Sequence, residues 1–398
     1  MATTTARLTA GAMLAALAGG AHAQTFTEAL AAGKPILEIR PRFESVDQAN
    51  LARDAEAFTV RTRLGWETGS WNDLKGLIEF EDVRQLGGER YNSGINGKTL
   101  YPVIADPEVT ELNRLQATWT PSKTFSATLG RQRVLLDDQR FVGAVAWRQD
   151  EQTFDAVRAD ATLGKVKVTA AYVAHVNRIS AEAADWDSES WLVNAAMPVS
   201  TAFTPQAFVY ALDFDDAPGN SSLTWGLRAT GRWTAGDLVF AYAASFARQS
   251  DYGNNPASFD LDYRQAELSV TRGIVTAKAA YESLEGNGAR GFSTPLATAH
   301  AFQGWADVFL TTPANGVEDA NLTLTLKPKL GDRPLELTAR YHSFQAERTG
   351  ADLGEELDLL ASAAVTKRLT ALVKYADYDG VPGFPSRRKV WVGFEFKL

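Results

Sequence analysis

Hydrophobic and polar residues alternate along most of the chain, in segments of about ten residues. In the stretch Val60 to Glu67, for example, Leu64 and Trp66 alternate with Arg61 and Arg63. A period of two places successive side chains on opposite faces of a β-strand. The pattern therefore predicts strands with one apolar and one polar face, and strands of this length and pattern are typical of barrels that cross an outer membrane.

Eighteen such strands are predicted, an even number, as a closed antiparallel barrel requires. The last strand ends the chain with apolar Val390, Val392, Phe394, Phe396 and Leu398 on one face. The fold class is therefore predicted to be all-β, a transmembrane β-barrel. The predicted strands cover residues 36–45, 57–67, 73–83, 109–119, 125–135, 151–162, 165–175, 189–198, 203–213, 222–233, 237–248, 260–271, 274–284, 319–327, 334–345, 355–365, 370–378 and 388–398.

The connections between these strands alternate between short and long. The short ones are residues 68–72, 120–124, 163–164, 198–202, 234–236, 272–273, 328–333 and 366–369; the long ones include 84–108, 136–150, 176–188, 249–259 and 285–318. Short periplasmic turns and long external loops distinguish outer-membrane barrels, whereas a soluble β-sandwich has no reason to alternate in this way. Aromatic residues at strand ends, Trp119, Phe125 and Trp233, lie beside short turns, where an aromatic girdle is expected.

The first residues resemble an export signal. Arg7 precedes an apolar stretch of small residues, and Ala21-His22-Ala23 supplies a cleavage site. We interpret residues 1–23 as a signal peptide and residues 24–398 as the barrel domain, with a buried N-terminal helix as the alternative. No other segment has 18 consecutive apolar residues, so no transmembrane helix is predicted. The expected location is the outer membrane of a Gram-negative bacterium.

Composition excludes several classes of function. The chain has no Cys, four His and a formal net charge of −8, which argues against thiolate chemistry, a multi-His metal centre and a nucleic-acid partner. No G-x-S-x-G motif is present for a serine hydrolase. Only Gln24 to Pro35 precede the first predicted strand, too few residues for the plug of an active siderophore transporter. We expect no catalysis, no cofactor and no metal site.

Three sequence runs carry a resemblance to a known family. They are GRQR…DDQRFVG…WRQ…QTFDA (Gly130 to Ala156), YPVIADPE (Tyr101 to Glu108) and HAFQGWADVFLTTP (His300 to Pro313). With these motifs the chain resembles the alginate export outer-membrane proteins, loosely over nearly all of the predicted mature chain. The resemblance implies an eighteen-stranded passive porin whose basic lumen passes an anionic polysaccharide such as alginate. It also implies that the basic residue type matters at Arg131, Arg133, Arg140 and Arg148.

Arginine suits such a lumen because it stays charged, binds carboxylates with two hydrogen bonds and favours anions when arranged in rings. Further candidates on lumen-facing positions are Arg40, Arg42, Arg61, Arg63, Arg114, Arg158, Arg228 and Arg232. The alternative is a structural ladder, in which these arginines pair with Glu38, Glu44, Glu79, Glu81 or Asp160 on neighbouring strands. The expected partners are outer-membrane lipids and a small anionic solute, saccharide or polysaccharide, with the protein acting as a monomer.

The sequence leaves the roles of the long loops and the kind of solute open. The apolar loop 285–318 either folds into the lumen as a constriction or packs on the barrel rim, and loop 84–108 is either disordered or a gate. The channel is either a polysaccharide exporter or a diffusion porin for small solutes, with a soluble carbohydrate-binding β protein as a distant third. The acidic runs Asp185 to Asp187 and Asp213 to Asp216 have oxygen ligands for calcium but lack EF-hand spacing, so solvated loops are the simpler interpretation.

Overall fold

The chain forms one closed antiparallel sheet. The computed structural model describes residues 25–398; the predicted signal peptide, residues 1–23, lies outside the described residues. Consecutive wall strands pair with each other, and β1 (Lys34–Gln48) also pairs with β19 (Arg387–Lys397), which closes the barrel. Every wall strand therefore has two neighbours, and closure of this kind removes the exposed edges of an open sheet.

The predicted number of membrane strands is confirmed. A nineteenth strand, β15 (Lys329–Leu330), is a two-residue element inside a turn. The other strands of the wall are β2 (Ala55–Glu67), β3 (Leu74–Gln85), β4 (Val109–Ser122), β5 (Phe125–Gln132), β6 (Thr153–Leu163), β7 (Val166–Asn177), β8 (Trp186–Ala196), β9 (Thr204–Leu212), β10 (Ser222–Ala235), β11 (Leu238–Asp251), β12 (Asp260–Arg272), β13 (Val275–Leu284), β14 (Val317–Leu326), β16 (Arg333–Gln345), β17 (Asp352–Ala364) and β18 (Leu369–Asp379).

The two faces of the wall differ as the alternation predicts. On β2, the outward Leu64 is 61% exposed, whereas the inward Arg61 is 1% exposed. Large apolar side chains are exposed on the outer face all around the barrel, where they are suited to contact lipid tails. At the short-turn end Trp119 packs edge-to-face on Phe125, and Trp233 stacks on Phe240.

A short α-helix precedes the first strand. This helix, α1 (Phe26–Ala31), begins with a capping box between Thr25 and Glu28. It lies at the short-turn end, where the indole of Trp66 donates a hydrogen bond to the Leu30 carbonyl at 3.1 Å. Within residues 25–398, no helix has the length and apolar character needed to cross a membrane.

One strand ends earlier than predicted, and this difference opens the interior to a loop. Strand β5 ends at Gln132, whereas the alternation predicted it to continue to residue 135. Gly130 adopts a φ of +112°, and a Cβ at this position would lie 2.2 Å from the Leu115 carbonyl oxygen. Only glycine accepts this combination of conformation and close approach. After it, the chain leaves the wall and turns into the lumen.

Candidate functional site

Three of the long connections fold into the lumen. These are loop 86–108, between β3 and β4; loop 133–152, between β5 and β6; and loop 285–316, between β13 and β14. Fully buried apolar side chains from the last two, such as Val142 and Phe292, share a core with inward wall residues such as Tyr210 and Trp391. The sequence left open whether loop 285–318 lies in the lumen or on the rim, and the structure decides for the lumen.

Loops 133–152 and 285–316 hold each other by backbone hydrogen bonds. Gly143 donates to the Leu296 carbonyl at 2.9 Å, and Thr298 donates to the Gln139 carbonyl at 3.0 Å. A Cβ on Gly143 would meet the Thr298 hydroxyl at 2.3 Å, so glycine is needed for the loops to approach. At the centre of their shared core, Phe141 packs edge-to-face on Tyr263 with ring centroids 5.2 Å apart. The two loops therefore form one packed unit across the lumen.

Asp307 in loop 285–316 is the hub that ties this unit to the wall. Its carboxylate accepts from Arg148 of loop 133–152 at 2.9 Å and from Lys389 of β19 at 2.6 Å. It also contacts Nδ1 of His300 at 2.6 Å, while Nε2 of the same ring lies 2.6 Å from the Lys374 amine. A neutral imidazole with its hydrogen on Nδ1 satisfies both contacts. In this buried site the carboxylate of Asp307 and the neutral imidazole of His300 thus meet the basic side chains of Arg148, Lys374 and Lys389.

Aromatic side chains surround the amine of Lys374. Its Nζ lies 3.7 Å from the ring centre of Trp305 and 4.1 Å from that of Trp147, and Trp147 stacks on His300 at 4.7 Å. Cations are attracted to such ring faces, most strongly where water is excluded. Trp147 belongs to loop 133–152 and Trp305 to loop 285–316, so this cage adds to the docking of both loops.

Burial and neighbouring charge shift the pKa values of two groups at this hub. Burial lowers the pKa of His300 well below 6.5. Although burial by itself raises the pKa of Asp307, the facing His300, Lys389 and Arg148 lower it well below 3.8. At neutral pH the docked loop therefore holds an ionised Asp307 and a neutral His300.

We expect loop 285–316 to dock less tightly as pH falls from about 7 to about 5. An undocked His300 takes up a proton near pH 6.5, whereas the docked His300 stays neutral. Each pH unit below that value then favours undocking by up to about 1.4 kcal/mol. Asp307 acts with the same sign only below its ordinary pKa of 3.8. Single-channel gating recorded against pH measures this, and His300→Gln should flatten the profile whereas His175→Gln, at the barrel rim, should not. An unchanged profile in His300→Gln would contradict this assignment.

Most of the predicted lumen arginines form ion pairs, and several of these pairs make up the structural ladder that was the alternative. Arg63 contacts Glu81 and lies 3.0 Å from Glu151. Arg114 binds both oxygens of Glu79, at 2.8 and 2.7 Å. Two further pairs lie in the wall: Arg61 with Glu38 and Arg158 with Asp160. Four pairs instead involve residues of the inward loops: Arg42 with Asp106, Arg133 with Glu151, Arg140 with Glu282, and Arg228 with Asp138. Arg148, described above, adds a contact with Glu44 at 3.1 Å.

Three candidates differ from these pairs, and one of them, Arg232, is exposed near the short-turn end of β10. Arg40 binds loop 133–152 through the Gln149 side chain at 2.9 Å and the Ala146 carbonyl at 2.8 Å. Arg131 was expected in the lumen, but its register places it opposite Leu115, on the outward face that also carries Leu129. There it binds both oxygens of Asp155, at 2.8 and 3.1 Å. The family resemblance had placed Arg131 in the lumen, whereas alternation along β5 places it on the same outward face as Leu129.

A cavity of about 860 Å³ lies among the inward loops at the long-loop end of the barrel. Among the described residues that line it, Asp307 is the only carboxylate, and Arg148 and Lys389 bind that group. Three other arginines line the same cavity and form no ion pair within residues 25–398: Arg178, Arg290 and Arg387. The cavity is therefore a basic chamber, which we call the vestibule.

Each vestibule arginine is held by neutral partners. Arg178 lies 3.9 Å from the ring centre of Trp186 and donates to the Pro295 carbonyl at 2.9 Å. Arg290 lies 3.7 Å from the ring centre of Phe259 and donates to the Gly219 carbonyl at 3.0 Å. Burial lowers the pKa of Arg178 to about 10, so its guanidinium stays charged at neutral pH.

Arg387 completes the set. It donates to the carbonyls of Ala306 and Asp307 at 3.0 and 2.9 Å. Its Nε is buried with no hydrogen-bond partner among the described residues, and so is the Nε of Arg290. Fixed guanidinium groups with unused donors can bind an anion that enters from outside.

The vestibule residues were not predicted from the sequence. Arg178, Arg290 and Arg387 lie more than 90 positions apart and carry no motif. Arg387 directly precedes the last predicted strand, residues 388–398, and the adjacent Arg388 and Lys389 are the local basic signal that could have drawn attention to it. Asp307 and His300 were inside a quoted motif, but nothing in the sequence indicated that they meet Lys374 and Lys389.

The two acidic runs considered for calcium are engaged in loop contacts. Asp187 lies 2.9 Å from Nδ1 of His175, and Asp216 accepts from the Asp187 backbone at 2.8 Å. Across residues 25–398, the group of three carboxylates close enough to share a cation lies elsewhere, where loop 133–152 meets strands β3 and β4.

Comparison with solved structures identifies the architecture. OccK3 (OpdO) of Pseudomonas aeruginosa superposes with a TM-score of 0.71 at 14% identity, over 94% of this chain and 98% of that one. OpdK of the same species, solved with vanillate, has a TM-score of 0.71 at 12% identity, over 93% and 99%. OccAB4 of Acinetobacter baumannii has 0.71 at 11%, over 92% and 98%. The chain therefore has the fold of outer-membrane porins.

A family model decides the sequence relationship. No sequence among the curated proteins matches this chain. The model described as "Alginate export" matches residues 36–260, which is more than half of the 398 residues. The matched region includes the wall ladder, loop 86–108 and loop 133–152. With a closed eighteen-stranded wall and this match, the chain belongs to the alginate export family.

Proposed function

We propose that the protein is a passive channel of the Gram-negative outer membrane that admits carboxylate-bearing solutes through the vestibule. The observation that carries this proposal is the set of three guanidinium groups, Arg178, Arg290 and Arg387, which line one chamber without a carboxylate partner among the described residues. Rings of Arg favour anions in a pore. No step of catalysis and no cofactor is required.

The wall ladder supports assigning selectivity to the vestibule rather than to the predicted arginines. Arg61, Arg63 and Arg114 each pair with a glutamate. The negative charge of the glutamate cancels most of the electrostatic attraction that the arginine would exert on an anionic solute farther away. The vestibule arginines carry uncompensated charge at the point where a solute enters from the long-loop end. Transit also requires weak binding at several sites, and neutral carbonyl and ring partners leave the guanidinium groups free for such binding.

Small carboxylates fit this arrangement better than a polymer. Loops 133–152 and 285–316 cross the lumen as a docked body, and a polysaccharide chain would have to pass it along its whole length. The similar porin OpdK was solved with vanillate, which is a small aromatic carboxylate. Export of an anionic polysaccharide such as alginate is the second candidate, and it is favoured by the family match over residues 36–260.

We expect a planar bilayer with a salt gradient to report anion preference. The triple variant Arg178→Gln, Arg290→Gln, Arg387→Gln should move the reversal potential toward zero and weaken block by vanillate at least about ten-fold, since each lost charge-assisted hydrogen bond is worth about 1.5–3 kcal/mol.

The matched control is Arg131→Gln, Arg248→Gln, Arg264→Gln. These arginines lie on the outward face, in exposed or half-exposed ion pairs, so the same charge change should leave selectivity unaltered. The vestibule proposal would be refuted if the unmodified protein preferred cations. It would also be refuted if both triple variants lost anion preference and vanillate block to the same extent. Block by oligouronates but not by vanillate would select the polymer exporter.

A further inference from the structure

Two glutamates face each other directly across neighbouring strands of the wall. Glu81 of β3 is paired in register with Glu111 of β4, and like charges in this position destabilise a sheet. Asp150 of loop 133–152 lies against them. One carboxylate oxygen from each of the three falls within 4.8 Å of the others.

Part of this group has no protein partner. Asp150 is 0% exposed, and neither of its carboxylate oxygens has a hydrogen-bond partner among residues 25–398. Oε1 of Glu111 is also buried without one. Glu81 by contrast contacts Arg63. A buried carboxylate without a donor costs several kcal/mol unless a proton or a cation neutralises it, so Asp150 requires a partner that the described chain does not supply.

The local charge balance leads to the same conclusion. Six carboxylates belong to this part of the wall: Glu38, Glu79, Glu81, Glu111, Asp150 and Glu151. Five arginines face them: Arg61, Arg63, Arg114 and Arg133, and Arg40, which is paired in register with Arg61. Arg131 is engaged by Asp155 on the outer face, and Lys397 with Glu395 contributes no net charge. The region therefore carries a formal charge of −1, so its arginines do not neutralise all of its carboxylates.

We infer that Glu81, Glu111 and Asp150 form a binding site for one hard divalent cation of the calcium class. Calcium takes oxygen ligands at about 2.3–2.6 Å, so two of its ligands can be separated by up to about twice that distance. Carboxylate oxygens within 4.8 Å of one another meet this condition. The smaller Mg²⁺, with ligands at about 2.0–2.1 Å, would need a tighter group.

Such a cation would join a loop to the wall. Glu81 and Glu111 belong to β3 and β4, whereas Asp150 is near the end of loop 133–152, which also supplies Arg148 to the Asp307 hub. Burial together with Glu111 and Glu81 raises the pKa of Asp150 to about 10. A carboxyl group in this environment is neutral at pH 7 unless a cation replaces the proton. The cation site is independent of the solute that the channel carries.

The test uses the refolded mature chain in detergent, stripped with EGTA and titrated with CaCl₂. We expect saturable uptake of one Ca²⁺ per chain by equilibrium dialysis, and a higher unfolding temperature with the ion bound. Asp150→Asn and Glu111→Gln should each weaken uptake at least about ten-fold, because even changes beyond the ligands often cost that much. Asp187→Asn, in one of the exposed acidic loops, is the matched control and should bind as the unmodified protein does.

Folding of each variant is checked by its heat-dependent migration on a gel. Should Asp150→Asn fail to fold, Tb³⁺ replaces Ca²⁺ in the unmodified protein, and luminescence lifetimes in H₂O and D₂O count its water ligands. A buried site predicts few water ligands, and a nearly full hydration shell would overturn the inference. It would also be overturned by absence of saturable Ca²⁺ uptake, by uptake that Asp150→Asn leaves intact, or by an infrared band of a protonated carboxyl group that persists in CaCl₂ and disappears in Asp150→Asn.

Discussion

Arg63→Met is expected to lower the free energy of unfolding of the barrel by about 3–5 kcal/mol. Arg63 is 4% exposed, and its guanidinium contacts Glu81, Glu151 and Glu38. Methionine keeps much of the volume, but it removes one of the cations that these carboxylates share. Arg61 and Arg133 remain beside them, yet the buried network then has one positive charge too few, which is costly. Urea-dependent unfolding from lipid vesicles, followed by tryptophan fluorescence, measures the loss.

Arg248→Met is the control for this variant. It makes the same chemical change in the exposed ion pair of Arg248 with Asp260, where solvent screens the interaction. We expect stability to be essentially unchanged. If Arg63→Met cost no more than Arg248→Met, the ladder of charges inside the wall would have to be neutralised by other means, and the structural role assigned to it would be wrong.

Asp307→Asn is expected to release loop 285–316 from the wall and raise single-channel conductance. The neutral amide leaves Lys389 buried without a carboxylate and leaves Arg148 with Glu44 alone, which should cost about 3–5 kcal/mol of docking free energy. The barrel should stay closed, because the backbone ladder from β1 to β19 does not depend on this residue. Conductance, open-channel noise and protease access to the loop report the release.

Asp215→Asn serves as the control for the hub. Asp215 is exposed in the connection between β9 and β10, so its replacement should leave conductance and protease access unchanged. Unaltered conductance in Asp307→Asn, with the protein folded, would mean that the apolar core and the tryptophan cage around Lys374 hold the loop without the hub.

Buried ion pairs have different consequences in the wall and in the loops. In either place their net contribution to stability is small when complete, because desolvation offsets the attraction. In the wall they link side chains of neighbouring strands, such as Arg63 of β2 with Glu81 of β3. In the loops the ion pairs determine where the loops dock. Arg148, Asp307 and Lys389 belong to three separate segments, and they form their salt bridges only when the loops are docked against the wall.

The alternation of side chains by itself determined the wall. Each predicted strand overlaps an observed one. Inward side chains face the barrel interior and outward side chains face lipid, so polar and apolar residues alternate along every strand, and this alternation can be identified within a short segment. The alternation of short and long connections likewise followed from the sequence. The family motifs were also visible, and the match over residues 36–260 covers two of the three, Tyr101 to Glu108 and Gly130 to Ala156.

The tertiary structure alone decided the interior. Whether Arg63 selects solutes or pairs with Glu81 depends on which side chains the closed wall brings opposite it. The vestibule required Arg178 of the β7–β8 connection, Arg290 of loop 285–316 and Arg387 of β19 to line one cavity. Such contacts are made between segments far apart in the chain, so no local pattern encodes them.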